Sequence, residues 1–303
     1  MRGKRFLLRS LGFLLGQIFF VAHAETLTIA TYNIENYGPA DRVTEAGFRA
    51  DYPKPEAEKA ALRRVIRGLN ADVLVLQEMG DQPYLDELRH DLKAEGLDYL
   101  HSAVASAADA DRHLAVLSKR PLKGVTTHTD LTFAYFGAKE DVKRGLLEAT
   151  IATSGGDVTL FVVHLKSRFT DRPDDPSSEI RRAGEATAIR DAVLKRFPDP
   201  SAARFVILGD CNDTKTSRAL AHLQTRGKTQ VAILLGGTDS HGEVWSHFYR
   251  REDTYSRVDH ILVSPALLPA VAGNIAHIYD GDGVRDASDH RPLAITLTFP
   301  PKK

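Results

Sequence analysis

Several runs in this chain are apolar from end to end, and they constrain its fold more than any other feature. LTIATYN (27–33), ADVLVLQE (71–78), VTLFVVHLK (158–166) and ARFVILGD (203–210) carry apolar side chains on both faces of an extended backbone. A strand with one wet face alternates apolar and polar residues, so these must be covered on both sides. RHLAVLSK (112–119), GLLEATIAT (145–153), RVDHILVS (257–264) and RPLAITLTF (291–299) read as further strands. The cover comes from helices. Ala57, Ala61, Leu62, Val65, Ile66 and Leu69 recur at helical spacing and predict a helix over 56–70. PYLDELRHDLKAEG reads as a second helix stopped by Gly96, and a long helix is expected over 177–196. Early strands alternate with helices, whereas Gly155-Gly156 joins two later strands as a hairpin. The sheets should therefore be mixed, in an α/β arrangement with helices outside. No internal repeat, low-complexity tract or linker interrupts the pattern, so a single domain over 25–303 is expected.

Residues 1–24 stand apart from that pattern. Arg2, Lys4, Arg5 and Arg9 precede an apolar run from Leu11 to Val21, followed by Ala22-His23-Ala24. A basic start, a short apolar run and an A-x-A end predict a signal peptide cut before Glu25, hence a secreted or periplasmic protein. The run falls short of the roughly 20 residues that a spanning helix needs. This leader holds four of the 40 basic residues and none of the 40 acidic ones, leaving a mature net charge of −4. Nothing global then draws the chain to a polyanion, and such binding must come from a local patch. Cys211 is the only cysteine, which excludes an internal disulfide.

The ends of the apolar runs carry the chemistry. Asn33 and Glu35, Glu78, His164, Asp210 and Asn212, Asp259, then Asp289 and His290 stand at or just past a predicted strand end. Singly, each has an ordinary explanation as a turn residue or solvated polar group. Strand ends converge on one edge of a sheet, however, and there loops build sites on a rigid scaffold.

TYNIEN, LQE, HLAVLSK, KRGLLEA, VVHLKSR, ILGDCND, RVDHILVS and SDHRPL stand in the order found in the endonuclease/exonuclease/phosphatase superfamily, the DNase I-like group, which the chain resembles over residues 27–298. VVHLKSR looks most like its secreted bacterial nucleases. The resemblance implies a four-layer α/β/β/α sandwich, two mixed sheets packed face to face with helices on both outer faces. It also implies a metal-dependent phosphodiester hydrolase using Mg²⁺, with Mn²⁺ as a possible substitute, and acting as a monomer. The expected substrate is DNA or RNA, with a small or lipid phosphate ester as the alternative, because such signature residues handle the phosphoryl group rather than its substituents.

Roles follow the resemblance residue by residue. Glu78 matches the principal metal ligand, and Asn33, Glu35 and Asp289 match positions that ligate directly or through water. His290 matches the general base and Asp259 the carboxylate orienting it. Asp210 and Asn212 match the pair beside the nucleophile, His164 a phosphoryl donor or leaving-group acid, and Arg144 a phosphate-oxygen ligand. Cys211, between Asp210 and Asn212, is expected to point back into the interior as a small hydrophobe rather than act as a nucleophile.

Other features carry less. RGKT (226–229) lacks the first glycine of a phosphate loop, since position 222 is His. His241 and His247 are six apart, not at helical metal-site spacing. Trp245, Phe248, Tyr249 and Tyr255 read as hairpin packing, with Trp245 or Tyr255 the ones to consider near substrate. Residues 167–182 read as a solvated connection, in which Arg168 could touch a phosphate.

Overall fold

The structure, a computed structural model, describes residues 24–44 and 46–300. The expected signal peptide lies, apart from Ala24, outside the described residues. Two sheets dominate. The first orders its strands Gly236–Thr238, Ile275–Ile278, Leu293–Phe299, Glu25–Asn33, Val73–Met79, His113–Ser118, His101–Ala105. The second runs Ile233–Leu234, Asp259–Val263, Phe205–Asp210, Val158–His164, Leu146–Ile151, Leu122–His128. Both are mixed. Glu25–Asn33 pairs parallel with Val73–Met79 and antiparallel with Leu293–Phe299. Val158–His164 pairs parallel with Phe205–Asp210 and antiparallel, across the Gly155-Gly156 turn, with Leu146–Ile151.

The period-2 geometry of each strand sorts its apolar residues between two cores. Leu27 and Ile29 of the first sheet meet Val206 and Leu208 of the second in the central core, where the sheets pack face to face. Their neighbours point the other way. Ala30, Tyr32, Leu74 and Leu76 lie under the helices Glu56–Leu69 and Gln82–Ala94 through Leu62, Val65, Ile66, Leu88 and Leu92. Phe205 and Ile207 lie under Glu179–Arg196 and Arg218–Gln224 through Ile189, Val193, Leu220 and Leu223. The result is the expected four-layer sandwich. Fully burying each such Val, Leu, Ile or Phe stabilises the fold by roughly 1.5–3 kcal/mol, so the three cores hold it without a disulfide.

Turn chemistry ends the elements as the sequence predicts. The second helix closes at Gly96 (φ +90°), with Gly96 N–H donating to Lys93 O at 3.0 Å and Leu97 N–H to Leu92 O at 2.8 Å. That double bond pattern requires a left-handed residue, which glycine adopts without penalty. RGKT spans a two-residue turn between Thr225–Arg226 and Thr229–Gln230. Cys211 is a free thiol, fully buried in the core beneath the Glu179–Arg196 helix. No described helix is long and apolar enough to cross a membrane.

Residues 167–182 are not the purely solvated connection expected. Arg182 is buried and donates from Nε to Asp213 Oδ2 at 2.9 Å and from Nη1 to Ser177 O at 2.7 Å and Lys166 O at 3.3 Å. Asp175, also buried, accepts from Ile180 N, Arg181 N and Tyr135 Oη. An internal arginine and an internal aspartate thus anchor the connection, while Arg168 stays exposed.

Candidate active site

The site lies at one edge of the packed sheets. Parallel strands deliver Asn33 and Glu78 from the first sheet, and His164 and Asp210 from the second, at their C-terminal ends. Asp259 instead opens its strand, antiparallel to Phe205–Asp210. Asp289 and His290 precede Leu293–Phe299, antiparallel to Glu25–Asn33. The expectation that every site residue closes a strand is thus corrected for these three. An antiparallel strand begins where its neighbour stops, so both routes reach one edge.

Local backbone then aims the side chains. Gly209 (φ +144°) has no room for a side chain, because a Cβ would lie 2.0 Å from Val163 O. That close approach sets Asp210 opposite His164 in the ladder. Pairing between Val73–Met79 and His113–Ser118 shifts register between Leu76 and Met79, and Glu78 sits there at φ +61°. Such a bulge re-aims a side chain out of the sheet. Glu35, Asn36 and Asn212 are left-handed as well, at φ +49°, +53° and +50°. Left-handed non-glycine residues cost of order 1–3 kcal/mol each and persist only where their surroundings hold them. Here the holders are hydrogen bonds: Glu35 N donates to Asn33 Oδ1 (3.1 Å), Asn36 N to Glu78 Oε2 (3.0 Å) and Asn212 N to Asp210 Oδ1 (2.7 Å).

Asn33 and His164 stand between the acids. Asn33 Nδ2 donates to Asp210 Oδ2 at 3.0 Å and approaches Glu78 Oε1 at 3.4 Å. Asn212 Nδ2 meets the same Asp210 oxygen at 3.1 Å and Leu165 O at 3.0 Å. His164 Nε2 lies 3.6 Å from Asp210 Oδ2 and 3.9 Å from Glu78 Oε1. Burial, with the Arg144 and His290 charges, holds the His164 ring well below its ordinary pKa, so it is neutral near pH 7. Arg144 is itself buried, pairs with Asp109 through Nε at 2.9 Å, and leaves Nη1 without a hydrogen-bond partner among the described residues.

His290 closes the other side. Its Nδ1 is 2.8 Å from Asp259 Oδ2, while Nε2 faces Asp210 Oδ2 and Asp289 Oδ1, each at 3.9 Å. Burial opposes a charged ring, but Asp259 and Asp210 outweigh it and raise the His290 pKa well above the usual value. Burial also pushes Asp210 up to about 6. Asp289 behaves oppositely. Burial would raise it, yet the His247 bond and the His290 charge bring it down to about 2. Glu35, half-buried, bonds Asp289 N through Oε2 at 3.0 Å, and burial together with the Asp289 charge raises its pKa. Glu35 and Asp289 thus meet on one side, and Glu78 stands with Asn33 and His164 on the other. The ligand atoms that lie within 4.8 Å of one another here are those of Asp210, Asp259 and His290 and those of His247, Asp289 and His290. Carboxylate oxygens of this kind suit a hard divalent cation. Asn33 turns its amide nitrogen to Glu78 and Asp210 and its oxygen to the backbone N–H of Glu35.

Sequence reasoning missed two residues. Ser246, fully buried, donates to Asp259 Oδ2 at 2.7 Å and accepts from Asp259 N at 3.1 Å and Val258 N at 3.2 Å. His247, set aside above on its spacing, lies 3.6 Å from Asp289 Oδ2, with its ring 4.5 Å from that of His290. No motif flags either one. They reach the site because the hairpin of His247–Tyr249 and Thr254–Ser256 bridges to His290, a tertiary contact. Cys211 takes no part, and burial raises its thiol well above the usual pKa.

Comparison with known proteins agrees with this fold. No curated protein matches the chain. Among solved structures, an endonuclease/exonuclease/phosphatase from Bacteroides vulgatus superposes with a TM-score of 0.63 at 16% identity, over 91% of this chain and 100% of that one. Sphingomyelinase C from Streptomyces griseocarneus gives 0.60 at 17%, over 90% and 99%. A beta toxin mutant from Staphylococcus aureus, with bound magnesium ions, gives 0.58 at 16%, over 89% and 99%. At such identities the likeness is one of fold. Residues 30–290 match the family model described as Endonuclease/Exonuclease/phosphatase family, and the chain belongs to that family.

Proposed function

We propose that the chain is an exported, Mg²⁺-dependent phosphodiesterase that cleaves DNA or RNA by attack of water on phosphorus. The observation that carries this reading is the line Ser246–Asp259–His290–Asp210, with His290 Nδ1 fixed on Asp259 and Nε2 open to the acid-rich edge. Asp259 sets the tautomer, so once His290, whose pKa is raised, has lost its proton, Nε2 carries the lone pair that takes the proton of the attacking water. As the water oxygen bonds to phosphorus, the bond to the ester oxygen breaks, and the leaving oxygen gains a proton from solvent. Asp210, tied by Asn33 and Asn212, orients the water. Neutral His164 donates from Nε2 to a phosphoryl oxygen, a role that its depressed pKa favours over that of an acid. Arg144 supplies its unpaired Nη1 to the same group. Glu78, Glu35 and Asp289 would hold the cation, which lowers the charge on the phosphoryl oxygens; Asn33 orients rather than ligates.

Two observations bear on the substrate. Arg112, Arg144 and Lys166 act on His164, and Lys54 and Arg250 act on Glu35, so cations stand on both sides of the site despite the net charge of −4. That favours a polyanion. A second reading, a lipid phosphodiesterase, draws on the hairpin of Ala40–Thr44 and Gly47–Tyr52. It exposes Val43 and Phe48 beside a groove that reaches Glu35 and Arg250. Purified protein with Mg²⁺, offered plasmid DNA, RNA, sphingomyelin and an inositol phosphate in parallel, separates the two. Cleavage of sphingomyelin alone refutes the nuclease reading. Export is checked by mass spectrometry of the secreted protein, with Glu25 expected at its N-terminus.

A further inference from the structure

A cavity of about 150 Å³ opens directly beside His290 and Asp289. The rings of Trp245, Phe248 and Tyr255 wall one side, and Arg250 and Arg285 stand at its margin. Volumes of 300–1,000 Å³ suit drug-sized ligands, so this one takes a single flat ring system. The wall is pre-organised. Trp245 and Tyr255 meet edge to face at 4.8 Å, and Tyr255 stacks on Phe248 at 4.5 Å. Trp245 Nε1 donates to Glu243 at 2.7 Å, and the Arg291 guanidinium lies 3.5 Å from its ring centroid. Tyr255 nonetheless stays half exposed, an unusual state for an aromatic in so well packed a cluster. The wall is also tied to the reacting end of the site, for Phe248 N donates to Asp289 O at 2.9 Å and His247 bridges to His290. A ligand seated there has a fixed relation to a phosphate at His290.

Charge selects the ligand. An aromatic cage also suits a quaternary ammonium, the headgroup of a choline lipid. Here Arg291 is neutralised by Asp239 at 2.8 Å, but neither Arg250 nor Arg285 has an acidic partner within 4.0 Å among the described residues. Arg250 and Arg285 outnumber Asp289, the one carboxylate lining the cavity, and the surplus positive charge disfavours a further cation and attracts an anionic nucleotide. We propose that this cavity is a nucleobase subsite, in which Trp245, Phe248 and Tyr255 stack the base of the nucleotide whose phosphate lies at His290. The proposal rests on the phosphodiesterase reading and narrows it to nucleic acid. It makes the hairpin of His247–Tyr249 and Thr254–Ser256 the substrate-reading element, which holds the base while the strand ends handle the phosphate.

Trp245 is the only tryptophan in the chain and serves as the reporter. The whole protein is titrated with a nucleoside 5′-monophosphate, with ribose 5-phosphate and with phosphocholine, following Trp245 emission without any turnover. Saturable quenching by the nucleotide, and none by ribose 5-phosphate at the same concentrations, is expected. Tyr255→Leu should weaken nucleotide binding about 5–150-fold, the range set by one base–aromatic stack. Phe248→Leu is the second variant, and the unfolding temperature of each reports whether the fold is intact. Equal response to the nucleotide and to ribose 5-phosphate would overturn the proposal, as would preferential binding of phosphocholine or unchanged affinity in both folded variants. Oligonucleotide cleavage is measured separately, so nucleotide binding without cleavage counts against the phosphodiesterase reading and not against the subsite.

Discussion

Replacing Asp259 by Asn probes the centre of the mechanism with the smallest change of shape. Asp259 Oδ2 accepts from Ser246 Oγ at 2.7 Å and faces His290 Nδ1 at 2.8 Å. An asparagine that keeps its oxygen on Ser246 turns its NH₂ away from that oxygen and loses the charge that stabilises the imidazolium. One that places its NH₂ at the histidine becomes a donor and forces Nδ1 to be the acceptor. The proton then sits on Nε2, facing Asp210 and Asp289, where the ring cannot take one from water. The first orientation weakens the general base by removing the stabilising charge, and the second abolishes it by imposing the wrong tautomer. General-base catalysis contributes about 10²–10⁴-fold, or roughly 2.7–5.5 kcal/mol of transition-state stabilisation. Cleavage of a fluorogenic phosphodiester under saturating Mg²⁺ should therefore fall by at least about 10²-fold in kcat. His290→Ala should cost a similar amount, and the double variant scarcely more, because an absent base cannot be misoriented. The acid limb of the pH–rate profile should vanish with His290. Fully additive losses, or an acid limb that survives His290→Ala, would refute the pairing and leave His164 as the base.

Other outcomes test the remaining assignments. Glu78→Gln keeps shape but removes charge, so activity should drop by orders of magnitude, and EDTA should do the same to the unaltered protein; full activity in EDTA would remove the metal from the mechanism. Cys211→Ala should keep turnover within a few-fold and lower stability by roughly 1 kcal/mol through a small cavity in the core, read by denaturant unfolding, while thiol reagents leave the folded protein active. Arg182→Met strands the buried Asp213 carboxylate and should cost about 3–5 kcal/mol in the same unfolding assay; a loss under 1 kcal/mol would show that the arginine does not anchor residues 167–182.

The four layers were legible in the sequence because burial on both faces leaves an unbroken apolar run, and helix period and strand period differ. LTIATYN and ARFVILGD each split their side chains between two cores as period 2 requires. Cys211 was legible for the same reason, lying one residue past a buried strand. The acids, the two histidines and Arg144 could be picked out because they stand at the ends of such runs in a known order. What strand ends cannot convey is direction. Asp259 and His290 share the edge with Asn33 and Asp210 only because their strands run antiparallel to those neighbours, and pairing is a long-range choice. Orientation within the site was equally hidden, since the bulge at Glu78 and the close approach at Gly209 arise from contacts between strands. Ser246, His247 and the aromatic wall come from a hairpin with no distinctive local pattern, and Arg182 looks like any solvated cation until Asp213 is seen beside it. Local chemistry thus determined which residues could act and which faces they would bury. Tertiary packing alone decided which of them meet, because a hydrogen bond across 31 residues, such as His290 to Asp259, leaves no periodic trace in the chain.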